Sequence, residues 1–232
     1  MEPQIFSLPK KDPFSTLDSE INRLSKFFTS LDPEDWKAPT YCEGWTVRDM
    51  VAHLDSDEEY NEACLNDTVG TLITGFTSID DFNDRQIQKR AHLSNEEILH
   101  RWRVRQAYVR KTWEQLGLKV KIPTFIGPYL LHAQIWHITS EYATHADDMD
   151  VQVLPEDQHP RLMWRYQVSA FAVQEKKNPP GLSRKDNRMI IFTDQHRLSL
   201  SEEDFVSAVS ARLPVPKNPQ DRKLIAALRT LA

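Results

Sequence analysis

One stretch of the chain, His137-Ile-Thr-Ser-Glu141-Tyr-Ala-Thr-His145, spaces two histidines and a glutamate four residues apart. On a helix, residues four apart lie about 6 Å apart along the axis and about 40° apart around it. Glu141 and His145 can therefore reach one point in space, and so can His137 and Glu141. His137 and His145 stand about 12 Å apart along the axis, too far to share one ion. At about 100° per residue, His145 falls about 20° from the apolar Ile138, Glu141 about 60° and His137 about 100°. Glu141 and His145 are thus the pair on the inner edge of this helix.

A carboxylate and an imidazole turned toward a protein interior are costly unless paired or bound to metal. Two readings follow. The pair is a buried Glu–His hydrogen bond, or it is part of a metal centre completed from another helix. His53 is the candidate for that further ligand, on the flank of its own helix about 110° from the centre of the apolar face. Convergence of His53, Glu141 and His145 would make a His₂Glu site, with positions left open for water or substrate. Zinc fits this donor set, and so do iron, nickel and manganese.

The elements that must position these residues are mostly helical. Leu17, Ile21, Leu24, Phe28 and Leu31 recur at helical spacing after Pro13, and Asp32-Pro33 ends that run. Thr46-Val-Arg-Asp49 has capping-box spacing and opens a second helix with Val47, Met50, Val51 and Leu54 on one face. Residues 66–92 read as a long connection with a short helix. Ser94-Asn-Glu-Glu97 caps a third helix carrying Ile98, Trp102, Val109, Trp113 and Leu116, with Gly117 at its C-terminal end. The fourth is expected to begin near Pro128 and to stop before Pro155, with Leu131, Ile135, Ile138, Tyr142 and Met149 facing inward. Four amphipathic helices bury their faces most economically as a four-helix bundle.

Beyond residue 160 the texture changes. Residues 161–175 look helical, and Asn178-Pro-Pro-Gly181 breaks the pattern. Met189–Phe192 and Arg197–Leu200 read as strands joined around Asp194-Gln195, followed by helices at about 201–212 and 220–231. The expected fold is mainly α: a bundle domain over residues 1–155, then a small α+β C-terminal domain over residues 156–232.

Composition removes several function classes. The chain has 232 residues and a formal net charge of −5, with 29 Lys+Arg against 34 Asp+Glu. Nucleic-acid binders usually concentrate a basic excess instead. Arg101, Arg103, Arg105 and Arg110, within the basic stretch Lys89–Lys111, are spread over several helix faces and read as a solvated surface. No apolar run approaches the roughly 20 residues of a membrane helix, and the acidic start lacks a signal-peptide core. The two cysteines, Cys42 and Cys64, form no C-x-x-C and point to reduced thiols in a cytoplasmic protein. No two of the six glycines make G-x-G. Gly70 and Gly75 have P-loop spacing, but Phe76 and Thr77 follow where Lys and Ser/Thr are required. G-x-S-x-G and H-E-x-x-H are absent.

The run from Ala38 to Leu54, with Gly44-Trp-Thr-Val-Arg-Asp49 leading to His53, resembles the opening motif of the mycothiol-dependent maleylpyruvate isomerase-like proteins. That family belongs to the DinB-like superfamily of metal-binding four-helix bundles. Glu141-Tyr-Ala-Thr-His145, followed by Asp147 and Asp148, is similar to its second signature, and Phe82-Asn-Asp-Arg85 also resembles it. The likeness covers about residues 14–150 and weakens after residue 160.

The resemblance implies a divalent metal on His53, Glu141 and His145, most readily zinc, with nickel or iron as alternatives. It further implies a low-molecular-weight thiol such as mycothiol and a small electrophilic substrate. A metal-bound thiol loses its proton and becomes a nucleophile at neutral pH, for isomerisation or thiol transfer. A hydrolase or an iron-dependent oxidative enzyme on the same triad is a second class, and a binding bundle without turnover is a third. No catalytic residue beyond the metal ligands is assigned; Arg188, Arg197 and Arg212 are candidates for a basic group that family members supply. Trp45 and Cys42 read as packing and loop residues, and Asp57, Tyr60 and Asp148 as either supports for the imidazoles or surface groups. The partners expected are a small substrate and a thiol, with neither nucleic acid nor membrane, in a monomer or homodimer.

Overall fold

The computed structural model describes residues 2–230. In chain order it has α1 (Pro13–Ser30), α2 (Val47–Leu65), α3 (Val69–Leu72), α4 (Ile79–Lys89), α5 (Asn95–Leu116), β1 (Lys121–Thr124) and β2 (Gly127–Leu130). There follow α6 (Leu131–Asp148), α7 (Pro155–Gln174), β3 (Gly181–Lys185), β4 (Arg188–Phe192), β5 (Arg197–Ser201), α8 (Glu202–Val209) and α9 (Pro219–Leu228). The fold is mainly α, with long bundle helices α1, α2, α5 and α6 and a small antiparallel sheet. Two compact units share α6: among the described residues one spans 14–135 and 145–151, the other 2–13, 136–144 and 152–230.

The bundle unit is built from the helix faces the periodicity marks. Leu24, Met50, Leu54, Ile98, Trp102 and Trp113 are wholly buried. Phe28 meets Trp102 edge to face, with ring centroids 5.6 Å apart, a favoured aromatic geometry. Both expected capping boxes form: Thr46 with Asp49 at α2, and Ser94 with Glu97 at α5. Gly117 closes α5 with φ +79°, a value that disfavours side chains with a Cβ. Leu116, expected to face inward, is 44% exposed.

Three stretches depart from the sequence reading. Residues 66–92 hold two helices; the longer, α4, is capped by Ser78 on Asp81 and buries Phe82 and Ile87. Pro128 lies in the β1–β2 hairpin, and α6 begins three residues later at Leu131. α6 ends at Asp148, before Pro155 as expected, but that proline starts α7 ahead of the expected residue 161, its fixed φ and missing N–H suiting the first turn.

The basic stretch is also less solvated than expected. Arg90 is 1% exposed and its Nε donates to Asp55 Oδ2 at 2.6 Å. Arg105 Nη1 donates to the other Asp55 oxygen at 2.7 Å, and its Nε reaches Glu62 at 2.8 Å. Arg110 pairs with Asp18 through two N–H groups, at 2.8 and 2.9 Å. These arginines tie α1, α2, α4 and α5 together instead of presenting a charged face.

In the second unit β3, β4 and β5 form an antiparallel sheet in sequence order. The β4–β5 pairing puts Phe192 opposite Arg197, so the hairpin turns where the sequence places it. β3 is additional. Asp186 and Asn187 join it to β4 with φ of +50° and +57°, as a two-residue primed turn requires. Tyr166, Leu182, Met189, Ile191, Phe205 and Ile225 share one core there. Arg161 donates to the Ala143 carbonyl at 2.7 Å and Arg165 to Thr144 Oγ1 at 3.2 Å, so α7 grips the turn of α6 that precedes His145.

Candidate metal centre

α6 is unbroken from Leu131 to Asp148, so Glu141 and His145 keep the one-turn spacing read from the sequence. His53 is supplied by the second turn of α2, whose start is set by the Thr46 capping box. His53 and His145 are 3% and 4% exposed. Their rings meet edge-on, with centroids 4.7 Å apart. One donor atom each from His53, Glu141 and His145 lies within 4.8 Å of the others. The flank position of His53 on its wheel is thus buried, because the residues before α2 cover that side: Trp45 lies against the His53 ring at a centroid separation of 5.1 Å. His137 stays outside the group and pairs with Glu175 at 3.0 Å.

A carboxylate orients the His145 imidazole, and another lies close to His53. His145 Nδ1 lies 2.9 Å from Asp148 Oδ2, and His53 Nε2 lies 3.3 Å from Asp57 Oδ2. An ionised carboxylate only accepts, so Nδ1–H of His145 donates and its Nε2 keeps the lone pair that a metal needs. Tyr60, by contrast, accepts from the Phe125 N–H at 3.3 Å, and burial raises its phenol pKa. Of the three arginines suggested for a basic role, Arg188 donates to Ser199 and Arg212 to the Ser210 carbonyl.

Cys42, read from the sequence as a loop thiol, lies in this region. A tight turn brings it there: Thr40 N–H donates to the Trp45 carbonyl and Trp45 N–H to the Cys42 carbonyl, both at 3.0 Å, around Gly44 at φ +81°. Tyr41 N–H donates to the Asp148 carbonyl at 2.9 Å, docking the turn on the end of α6. Cys42 Sγ is then 3.3 Å from Asp148 Oδ2 and 3.9 Å from His145 Nδ1. The separation of 103 positions between Cys42 and His145 explains why spacing could not reveal this contact. A cavity of about 590 Å³ opens beside it, lined by Phe27, Leu31, Thr40, Tyr41, Asp148 and Met149 among others.

Two imidazoles and a carboxylate are gathered on helices of a four-helix bundle, a donor set that could hold a metal ion. Residues 17–150 match the family described as the Mycothiol maleylpyruvate isomerase N-terminal domain, and the chain belongs to that family. The fold is similar to the crystal structure of the mycothiol-dependent maleylpyruvate isomerase, at 15% identity and a TM-score of 0.53, over 72% of this chain and 69% of that one. It is also similar to a histidine-to-alanine mutant of that isomerase, at 16% identity and a TM-score of 0.51, with the same coverage. Among curated proteins none matches the chain significantly. Among the described residues no helix is long and apolar enough to cross a membrane.

Proposed function

We propose that this chain is a metal-dependent enzyme that uses a low-molecular-weight thiol, mycothiol or a similar molecule, for isomerisation or thiol transfer on a small electrophilic substrate. The observation that carries the reading is the convergence of His53, Glu141 and His145 within 4.8 Å, in a chain of this family. The similar solved structures are of an isomerase that depends on mycothiol, which supports the thiol in the reading. Residues 1–155 serve as the metal-binding domain and 156–232 as the C-terminal domain, in a cytoplasmic protein whose thiols stay reduced.

The donor set fits a divalent ion. Two neutral nitrogens and one carboxylate suit zinc, and also nickel or iron. Such an ion, when bound, lowers the pKa of a coordinated thiol and so supplies a nucleophile at neutral pH. The protein's own groups do the positioning. Asp148 holds the proton of His145 on Nδ1, and Asp57 lies against His53. Trp45 covers the His53 ring and keeps water from that face. Glu141 offsets part of the positive charge brought to a buried place.

The test is metal content of the whole chain, purified without chelator or metal-binding tag, beside Glu141→Gln and His145→Ala. The expected result is about one ion per chain, lost or strongly reduced in both variants. Activity on a cis-unsaturated keto acid is expected only with added thiol. No metal after reconstitution with zinc, nickel and iron would overturn the reading. Turnover without thiol would move the chain to the hydrolytic or oxidative class.

A further inference from the structure

We propose that Cys42, Asp148 and Nδ1 of His145 form a second position for a soft, thiophilic d¹⁰ cation, which competes with the His53–Glu141 side for the one imidazole.

Three donor atoms of different chemistry meet here. Cys42 Sγ, Asp148 Oδ2 and His145 Nδ1 are separated by 3.3, 3.9 and 2.9 Å. A tetrahedral ion with bonds of about 2.0–2.3 Å holds its neighbours about 3.3–3.8 Å apart. The nitrogen–oxygen pair has to open by a few tenths of an ångström, as their shared hydrogen bond gives way, and the sulfur–nitrogen pair to close slightly. His145 and Asp148 are 4% and 3% exposed, whereas Cys42 is half-buried. The cluster is therefore walled on the protein side and reachable from the other. Asp148 also lines the 590 Å³ cavity.

Electrostatics favour a cation here. The group sits at the last turn of α6, where backbone carbonyls point outward and the helix dipole is negative. The turn over residues 40–45 is hydrogen-bonded to itself and to the Asp148 carbonyl, so Cys42 is held over that helix end. Sulfur selects for soft ions such as cadmium, zinc or cuprous copper over magnesium or calcium.

Cys42 groups with His145 and Asp148, while His53 and Glu141 group with His145 in a separate set. The two sets thus draw on one imidazole, with Cys42 and Asp148 at its Nδ1. A neutral imidazole has a single lone pair. Ligation through Nδ1 uses that lone pair, moves the ring proton to Nε2 and leaves none for the other set. The thiol proton leaves to solvent as the sulfur–metal bond forms, so the ion exchanges for one proton with no redox change. This site stands on Cys42 and Asp148; only the competition rests on the function proposed above.

The experiment titrates the metal-free whole chain with cadmium chloride and follows the ultraviolet thiolate-to-cadmium charge-transfer band. The expected result is a saturable band that disappears in Cys42→Ser and in Cys42→Ala, persists in Cys64→Ala and Glu141→Gln, and is suppressed by prior loading with zinc. Far-ultraviolet circular dichroism confirms that each variant is folded. Absence of the band in wild type, or its survival in folded Cys42→Ser, overturns the proposal. Its loss in folded Glu141→Gln also does, because Cys42 would then ligate the same ion as the other set. Failure of the function proposed above looks different: zinc content would be unaffected by Glu141→Gln while the cadmium band still vanished with Cys42.

Discussion

His145 Nδ1 lies 2.9 Å from Asp148 Oδ2, one helical turn further along α6. The contact orients a ring that is 4% exposed and belongs to the same donor group as His53 and Glu141. Removing such a carboxylate partner typically weakens metal binding about 10–100-fold. Asp148→Asn is expected to lower zinc affinity by that order, read by competition with a chromophoric chelator, with helical content unchanged. An affinity equal to wild type would mean that the contact does not set the ring.

The Arg90–Asp55 pair anchors the bundle unit. Both groups are buried, and Asp55 also accepts from Arg105. Breaking one side of a buried pair leaves the other charge uncompensated, at a cost of roughly 3–5 kcal/mol. Asp55→Ala should lower the urea midpoint by a corresponding amount. Lys37→Ala should leave it unchanged, since the Lys37 and Glu34 side chains are 72% and 83% exposed.

Glu59 ties stability to acid pH. Burial pushes its pKa up, but hydrogen bonds and charge from Arg90 and then Lys89 outweigh that, and the net value falls below the ordinary 4.5. A lowered folded pKa means that the unfolded chain takes up the proton first. The stabilisation is therefore complete above 4.5 and fades as pH falls through the lower, folded value. Urea midpoints measured from pH 7 down to pH 3 should drop less steeply in Glu59→Gln than in wild type. Parallel curves would show that Glu59 titrates normally.

The two cysteines should differ in reactivity. Cys64 has no exposed surface, and its thiol is pushed up to about 11, chiefly by burial. Cys42 is half-buried. At pH 8 an alkylating reagent should modify Cys42 in the folded chain and reach Cys64 only after denaturation. Peptide mapping by mass spectrometry reads both sites, and early labelling of Cys64 would contradict its packing.

How much was legible in the chain depends on the range of the interaction. The capping boxes at Thr46 and Ser94, the apolar faces of α1, α2 and α5, and the one-turn spacing of Glu141 and His145 are local. Helix geometry fixes them within a few residues, so the sequence alone determined them. The prolines misled because their effect depends on which side of them a helix grows. Pro128 lies in a strand and Pro155 in a first helical turn, a choice made by the chain that follows each. α4 was obscured by its composition: few of its residues are apolar, and its packing against α2 decides that it forms.

What only the tertiary structure decided is which distant groups share a space. His53 is 92 residues from His145, and motif likeness suggested the pairing, whereas the fold brings the rings to 4.7 Å. Cys42 beside Asp148, and Asp55 between Arg90 and Arg105, carry no spacing signal at all. A hydrogen bond or an ion pair between elements acts only over a few ångströms. The chain order does not encode that proximity locally; it arises when apolar faces pack and set the helices side by side.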